Sequence, residues 1–312
     1  MSNAALIAAA LIAIDWGTTN RRGYLLGKDG EILDRREDDL GITAAGAAGF
    51  GATFEAFTAP WREAADLALP VLMSGMIGSR QGWVEAPYAL CPARAEDIAA
   101  QIMPLPGIDS TWIVPGICLN GDRRDVMRGE EVQIFGALGL ASLATATLCL
   151  PGTHSKWARV EDGRLVDFAT AMTGEVYQVM RTHSILGALM EGNAGHESDA
   201  FRRGLDAAAA AGGLLHHLFS VRADGLFGVT RADEQASYLS GLLIGHELRD
   251  LGGAFRATDE PVLLVGAAGL TRIYEEALDH LALPFRTVEG HAATVRGLFA
   301  VWAANPLARL AE

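Results

Sequence analysis

Residues 11–35, LIAIDWGTTNRRGYLLGKDGEILDR, set the architecture, because residues 147–169, TLCLPGTHSKWARVEDGRLVDFA, repeat their pattern. In each, a short apolar run (Leu11–Ile14; Thr147–Leu150) meets a polar loop, DWGTTN or PGTHSK. A strand-like run follows (Arg22–Leu26; Trp157–Val160). An Asp-Gly turn (Lys28-Asp29-Gly30; Glu161-Asp162-Gly163) then leads into a third run (Glu31–Arg35; Arg164–Ala169). Asp-Gly between short strands is a strong hairpin signal, since both residues tolerate positive φ. Loop glycines Gly17 and Gly152 are 135 residues apart and turn glycines Gly30 and Gly163 are 133 apart. So constant an offset predicts two related domains, each opening on an antiparallel meander.

Working outward, residues 47–65 are expected to form a helix broken near Pro60. Pro70–Met76 is expected as a strand leading into the glycine-rich loop Gly75–Gly82, and Trp112–Val114 as a short strand. Gly129–Leu143 is a helix joining the halves. In the second half, Thr173–Leu189, Asp199–Phe219 and Asp233–Leu251 have helical patterns, and Pro261–Val265 is a buried strand before the helix Arg272–Leu281. His291–Ala304 closes the chain as a helix. Strands alternating with helices after each meander give an α/β protein with mixed sheets flanked by helices. The domains expected are 1–140, completed by helix 291–304, and 145–290.

Half of the 312 residues are hydrophobic and a fifth are charged, the balance of a folded globular chain. Lys and Arg number 25 against 38 Asp and Glu, a formal net charge of −13. Phosphate backbones and anionic lipid repel such a chain, so neither nucleic acid nor a membrane is expected as its partner. An anionic small molecule would need local Arg, Lys, metal or backbone N–H groups to overcome that field. Cys91, Cys118 and Cys149 form no CxxC pair. They are expected as reduced, mostly buried thiols of a cytoplasmic protein. The apolar stretch Ala4–Ile14 has no basic residue before it and runs straight into Asp15, against a secretory leader. Val132–Ser155 is uncharged but interrupted by Gly136, Gly139 and Pro151-Gly152, so a helix followed by a strand is expected and not a membrane span.

A loop bearing Asp, Gly and consecutive Thr between strands suits a phosphate. Glycine lets the backbone approach, successive N–H groups point at the anion and the hydroxyls add donors. Asp15 at the strand end is placed to hold Mg²⁺ beside phosphates. The loop Gly152-Thr153-His154-Ser155-Lys156 offers the same donors plus a cation, but no Asp. Asp-x-Gly-Thr also occurs as an ordinary hairpin loop; two such loops in duplicated contexts point to phosphates held from both sides. VLLVGAAGL is a third glycine-rich element, a strand, turn and helix start common to many α/β crossovers. Neither GxxxxGK[ST] nor GxGxxG is present.

DWGTTNRR, PGTHSK and VGAAGL, in that order, resemble the phosphate 1, phosphate 2 and adenosine segments of the sugar kinase, actin and heat-shock chaperone superfamily. MSGMIGSxxGW followed by Pro87-Tyr88, WIVPGIC, DVMRGEE, LPGTHSKW, MTGE and LSGLLIG narrow this to a resemblance to the 2-dehydro-3-deoxygalactonokinase family, over most of Ile12–Gly269. The resemblance implies two actin-like (ribonuclease H-like) domains with a cleft between them. It also implies transfer of the ATP γ-phosphoryl group, with Mg²⁺, to the 6-hydroxyl of 2-dehydro-3-deoxy-galactonate in galactonate catabolism. A kinase for the gluconate epimer, or a phosphatase or ATPase of the same superfamily, are the rival readings. The assembly is left open, a homodimer among the options.

Carried over residue by residue, Asp15 matches the Mg²⁺-associated aspartate, and Gly17, Thr18 and Thr19 the first phosphate loop. Gly152, Thr153 and His154 match the second, and Gly266 and Gly269 the adenosine turn. Lys156 either reaches a phosphate or is a solvated strand residue. Many sugar kinases of the superfamily have an Asp near the second loop as base, and PGTHSK has none. Asp125, Glu130 and Glu131 are therefore the candidates, the Glu pair (Glu130 first) for metal or base and Asp125 as the rival base. Their helix is apolar nearly all round, so periodicity does not say which Glu faces the cleft. A planar carboxylate suits a bidentate guanidinium, which makes Arg128 and Arg22 candidates for the sugar acid, though Arg22 fits a surface ion pair equally. Met76, Gly78 and Ser79 belong to the expected substrate loop, and Trp83 either lines the sugar site or packs in the core.

Overall fold

The computed structural model describes residues 8–65, 69–191, 196, 198–256 and 260–310; Ala4–Ile7 of the apolar N-terminal stretch lie outside them. In chain order the elements are β1 (Ala9–Trp16), β2 (Arg21–Gly27), β3 (Ile32–Asp38), α1 (Ile42–Ala48), α2 (Phe50–Ala65) and β4 (Val71–Ser74). Then come β5 (Tyr88–Leu90), α3 (Ala95–Ala99), β6 (Met103–Pro104), β7 (Thr111–Ile113), β8 (Gly116–Asn120), β9 (Arg124–Met127) and α4 (Glu130–Ala141). The second half holds β10 (Ala146–Leu150), β11 (Ser155–Glu161), β12 (Arg164–Ala171), α5 (Thr173–His183), α6 (Ser198–Ala207), α7 (Gly213–Leu226) and α8 (Gln235–Glu247). It ends with β13 (Val262–Gly266), α9 (Ala268–His280), β14 (Phe285–Glu289) and α10 (Gly290–Ala304). The chain divides into two compact units, residues 1–145, 160–167 and 288–312 in one, 146–159 and 168–287 in the other.

The duplicated pattern becomes a duplicated sheet order. The first main sheet runs β3-β2-β1-β4-β7-β6 and the second β12-β11-β10-β13-β14, so in both the meander sits to one side of a first strand whose other neighbour is parallel. Both Asp-Gly turns form. Asp162 and Gly163 have φ of 49° and 74°, the mirror-image turn that matches strand twist.

The first unit buries Ile12, Ile14 and Trp16 of β1 with Val71 and Met73 of β4 against Phe54, Phe57 and Trp61 of α2. Helix α2 continues through Pro60 instead of breaking there. Buried Phe57 and Trp61, either side of the proline, hold the helix on the sheet at the cost of one backbone bond. On the far side α4 crosses α10 so closely that a Cβ on Gly136 would lie 1.8 Å from Ala293 O and one on Gly297 1.9 Å from Val132 O. In the second unit Cys149, Val262 and Leu264 pack against Trp157, Phe201 and Tyr274.

Two further expectations need correction. The helix over 199–219 is two helices, because Gly212 and Gly213 take φ of 129° and 74°, outside any helical conformation. The helix over 173–189 stops at His183, with a single 3₁₀ turn at Gly187–Leu189. The third sheet, β5-β8-β9, has strands too short for alternation to reveal. Among the described residues no helix is long and apolar enough to cross a membrane. The three thiols are free, but only Cys149 is fully buried; Cys91 and Cys118 are half-buried.

Candidate active site

In the first unit the site is built where β1 ends. Register pairs Asp15 with Arg22 on β2 and with Ser74 on β4. Gly75 follows at φ 88°, where a Cβ would lie 2.9 Å from Trp16 O and 3.3 Å from Asp15 Oδ1, so any side chain would be both strained and in the way. Gly129 approaches from the other side, its Cβ position 3.3 Å from Gly75 Cα. That contact brings the start of α4 to Asp15. Burial raises the Asp15 pKa; the Arg22 guanidinium at 3.7 Å and His291 oppose the rise, and Glu130 adds to it.

The two glutamates separate. Glu131 is fully buried, its Oε2 accepting from Gly129 N at 2.7 Å and its Oε1 without a hydrogen bond among the described residues. Burial, with the neighbouring Glu130 charge, pushes its pKa up to about 8. Glu130 is half-buried, accepts from Arg128 N at 3.0 Å and shares the electrostatic field of Asp15. Asp125 lies on β9 opposite Leu119 and accepts from Val126 N at 2.8 Å.

Arg128 is 9% exposed. Its Nη2 donates to Ala86 O at 2.8 Å and its guanidinium lies 4.4 Å from the Tyr88 ring centre, yet Nε and Nη1 make no hydrogen bond among the described residues. A Cβ on Gly78 would sit 3.0 Å from Nη1. Ser74 Oγ and Ser79 Oγ are likewise buried and unpartnered. Buried polar atoms without partners are costly and call for an explanation. Here they lie on two segments, 74–79 and 128–131, that touch at Gly75 with Gly129 and at Gly78 with Arg128.

The remaining candidates of this unit fall as follows. Arg22 forms ion pairs with Asp15 and, at 3.9 Å, Glu37. Met76 packs on the core, and so does Trp83, stacked on Phe50 and edge-on to Trp16. Thr18 and Thr19 are exposed on a loop pinned by Gly17 N to Asn20 O (2.9 Å) and by Gly41 N to Thr19 O (3.0 Å). Sequence reasoning missed His291, which hydrogen-bonds Tyr24 and acts on Asp15. It lies 276 positions from Asp15, with no local signal.

In the second unit Gly152 N donates to Ser155 Oγ at 3.4 Å, and Ser155 Oγ meets Tyr274 OH at 3.0 Å. Tyr274 OH donates to Glu247 Oε2 at 2.8 Å, Trp157 Nε1 donates to Glu247 Oε1 at 2.9 Å, and Thr173 also donates to this carboxylate. One buried carboxylate thus ties together the phosphate-type loop, the start of α5 and helix α9. Burial raises the Glu247 pKa, with these hydrogen bonds opposing the rise. Gly174 sits so close that its Cβ would lie 2.6 Å from Gly152 O.

His154 is exposed and paired with Glu175, whose N–H donates to Thr153 O at 3.0 Å. Lys156 is 4% exposed with Nζ donating to His154 O at 3.2 Å, which corrects the solvated-strand alternative. A Cβ on Gly266 would meet Pro151 at 3.9 Å, so the VGAAGL turn lies beside this loop. A cavity of about 180 Å³ opens there, lined by Gly152, Thr173, Tyr177, Ser240, Ile244 and Tyr274. Gly269, exposed in the first turn of α9, borders a larger cavity of about 800 Å³ with His196, Arg272 and His280.

The family model described as 2-keto-3-deoxy-galactonokinase matches residues 15–301. The chain belongs to this family. An Escherichia coli K12 relative named 2-dehydro-3-deoxygalactonokinase is 35% identical, over 94% of this chain and 97% of its own. A Rhizobium meliloti strain 1021 relative, given the same name provisionally, is 39% identical over 92% of this chain and 95% of its own. The crystal structure of a Sinorhizobium meliloti protein provisionally given that name superposes with a TM-score of 0.84 at 36% identity, covering 94% of this chain and 98% of the other. Membership extends across both units, so the Asp15 cluster and the Gly152 loop lie within the shared region.

Proposed function

We propose that this chain is an ATP-dependent kinase that phosphorylates the 6-hydroxyl of 2-dehydro-3-deoxy-D-galactonate, yielding the 6-phosphate and ADP, in the cytoplasm as a step of galactonate catabolism. The observation that carries this reading is Arg128, a buried guanidinium whose Nε and Nη1 make no hydrogen bond among the described residues and whose Nη1 lies against Gly78, next in the chain to Ser79 with its unpartnered buried Oγ. A fixed, desolvated fork of this kind fits a planar carboxylate, which a simple hexose lacks.

Asp15 and Glu130 are the carboxylates for metal and base. No group of three or more His, Cys, Asp and Glu side chains converges among the described residues. Mg²⁺ takes one or two carboxylates from a protein and completes its shell with phosphate and water, a donor set that the electrostatically coupled Asp15 and Glu130 can supply. When bound, the ion supplies charge neutralisation at the phosphates. Asp15 would hold it, with Glu130 either completing the metal site or accepting the hydroxyl proton. Glu131 serves as the buried anchor of Gly129. Within the first unit Gly17, Thr18 and Thr19 bind phosphate; within the second the Gly152–His154 loop, with Lys156 behind it, binds phosphate and the cavity lined by Ile244 and Tyr274 takes the nucleoside.

Phosphoryl transfer asks the protein mainly for positioning and charge stabilisation, which these groups supply. A coupled ADP-release assay over a panel of sugars tests the reading. Release should require both Mg²⁺ and a 2-keto-3-deoxy hexonate, with the galactonate epimer preferred over the gluconate one. Equal rates with glucose and the sugar acid would overturn it.

A further inference from the structure

Helix α7 carries two adjacent apolar stripes, centred about 100° apart at 3.6 residues per turn. Leu214, Leu218 and Val221 turn inward onto Tyr238, Leu239 and Leu242 of α8. Leu215, Phe219 and Leu226 turn outward, 87%, 61% and 61% exposed. With Arg222 they fall at i, i+4, i+7 and i+11, one stripe along the helix. Phe227 and Val229, 85% and 66% exposed, extend the patch past the helix end. Only the first of these stripes is covered by the chain's own residues.

We propose that this face is the subunit interface of a homodimer, with α7 packed antiparallel against α7 of a second copy. Two observations select a second copy as the occupant. The stripe is self-complementary about a twofold axis near Ser220 and Val221: Leu215 then faces the partner subunit's Leu226, with Phe219 of each copy between the two Leu pairs. Apolar meets apolar across the axis. The area also fits. Taking ~150–250 Å² for each aromatic side chain and somewhat less for Leu and Val, the patch exposes roughly 600 Å² per subunit. That is the top of the ~300–600 Å² range of a monomer's largest patch, and doubled across the axis it reaches about 1,200 Å², where specific interfaces begin.

Sedimentation velocity on the whole protein at micromolar concentration should give twice the chain mass. Leu215→Glu/Phe219→Glu should give the single mass with kcat unchanged, because neither side chain packs within its own subunit, and a melting temperature that is lower and no longer depends on protein concentration. Cysteines test the pairing itself. Positions 215 and 226 are about 16 Å apart along one helix, too far for a bond within a chain. Leu215→Cys/Leu226→Cys should therefore cross-link between chains on mild oxidation, while each single variant, with Cys91, Cys118 and Cys149 in place, should not. A monomeric wild type would overturn the proposal and give the face to a different partner. So would a dimer that survives the double Glu substitution, or single-cysteine variants that cross-link as readily as the pair.

Discussion

At the scale of single residues, the roles proposed for Asp15 at the metal and Arg128 at the substrate require their substitutions to fail differently. Asp15→Asn keeps the shape at the end of β1 but removes the charge offered to Mg²⁺. We expect kcat to fall by on the order of 10², about 2.7 kcal/mol, with the melting temperature little changed. A carboxylate that only paired with Arg22 would give the reverse, a lower melting temperature and near-normal turnover. Arg128→Ala should weaken use of the sugar acid by about 1.5–3 kcal/mol while leaving nucleotide affinity nearly intact. Unchanged sugar-acid kinetics would make the guanidinium a packing element between Ala86 and Tyr88. Asp15 was legible in the sequence because a strand-end Asp before Gly-Thr-Thr is a local pattern. The choice between Glu130 and Glu131 was not, since α4 is apolar nearly all round and only its packing on α10 turns Glu131 inward.

At the scale of elements, the start of α4 and the end of α8 each carry a buried carboxylate whose consequences can be measured. The Glu131 pKa is raised to about 8 in the folded protein from an ordinary value of 4.5. Between those values the folded state binds more protons than the unfolded one, so this group's contribution to stability falls as pH rises. Glu131→Gln keeps an acceptor for Gly129 N and removes the titration. Its stability relative to wild type should therefore climb from pH 5 to pH 8, by on the order of a few kcal/mol, and a flat difference in urea unfolding across that range would refute the assignment. Glu247→Gln addresses the other hub. Weakening its bonds to Trp157, Thr173 and Tyr274 should loosen the Gly152 loop, raising KM for ATP roughly tenfold, about 1.4 kcal/mol, while the sugar-acid KM holds. Equal losses for both substrates would mean general destabilisation instead. Glu247 was hidden from sequence reading because its three partners lie on three elements, each unremarkable alone. The break between α6 and α7 at Gly212-Gly213 was there to be read, whereas continuity through Pro60 depends on tertiary burial of Phe57 and Trp61.

At the scale of the whole molecule, the repeat was the most legible feature, because two loops and two Asp-Gly turns at nearly equal spacing survive in the residues themselves. The β5-β8-β9 sheet was not, since strands of three to five residues leave no periodicity to detect. The net charge of −13 is the other global property, and it sets up a conflict with the chemistry. Both proposed substrates are anions, so the long-range field opposes encounter, while the contacts proposed for Arg128 and Lys156 are made from positions that are 9% and 4% exposed. Salt discriminates between these terms. The field of exposed charges is screened over a Debye length of ~30 Å at 0.01 M and ~10 Å at 0.1 M ionic strength, whereas buried groups are screened much less. With MgATP saturating, kcat/KM for the sugar acid should therefore rise modestly as ionic strength goes from about 0.01 M to 0.1 M, because repulsion is screened before local attraction is. A neutral sugar used as a poor alternative substrate should show no such rise, which separates charge from any effect of salt on the enzyme itself. If kcat/KM for the sugar acid falls steeply instead, an exposed cationic path governs encounter, and the search for it would begin at Arg80 beside Ser79, whose side chain is 86% exposed.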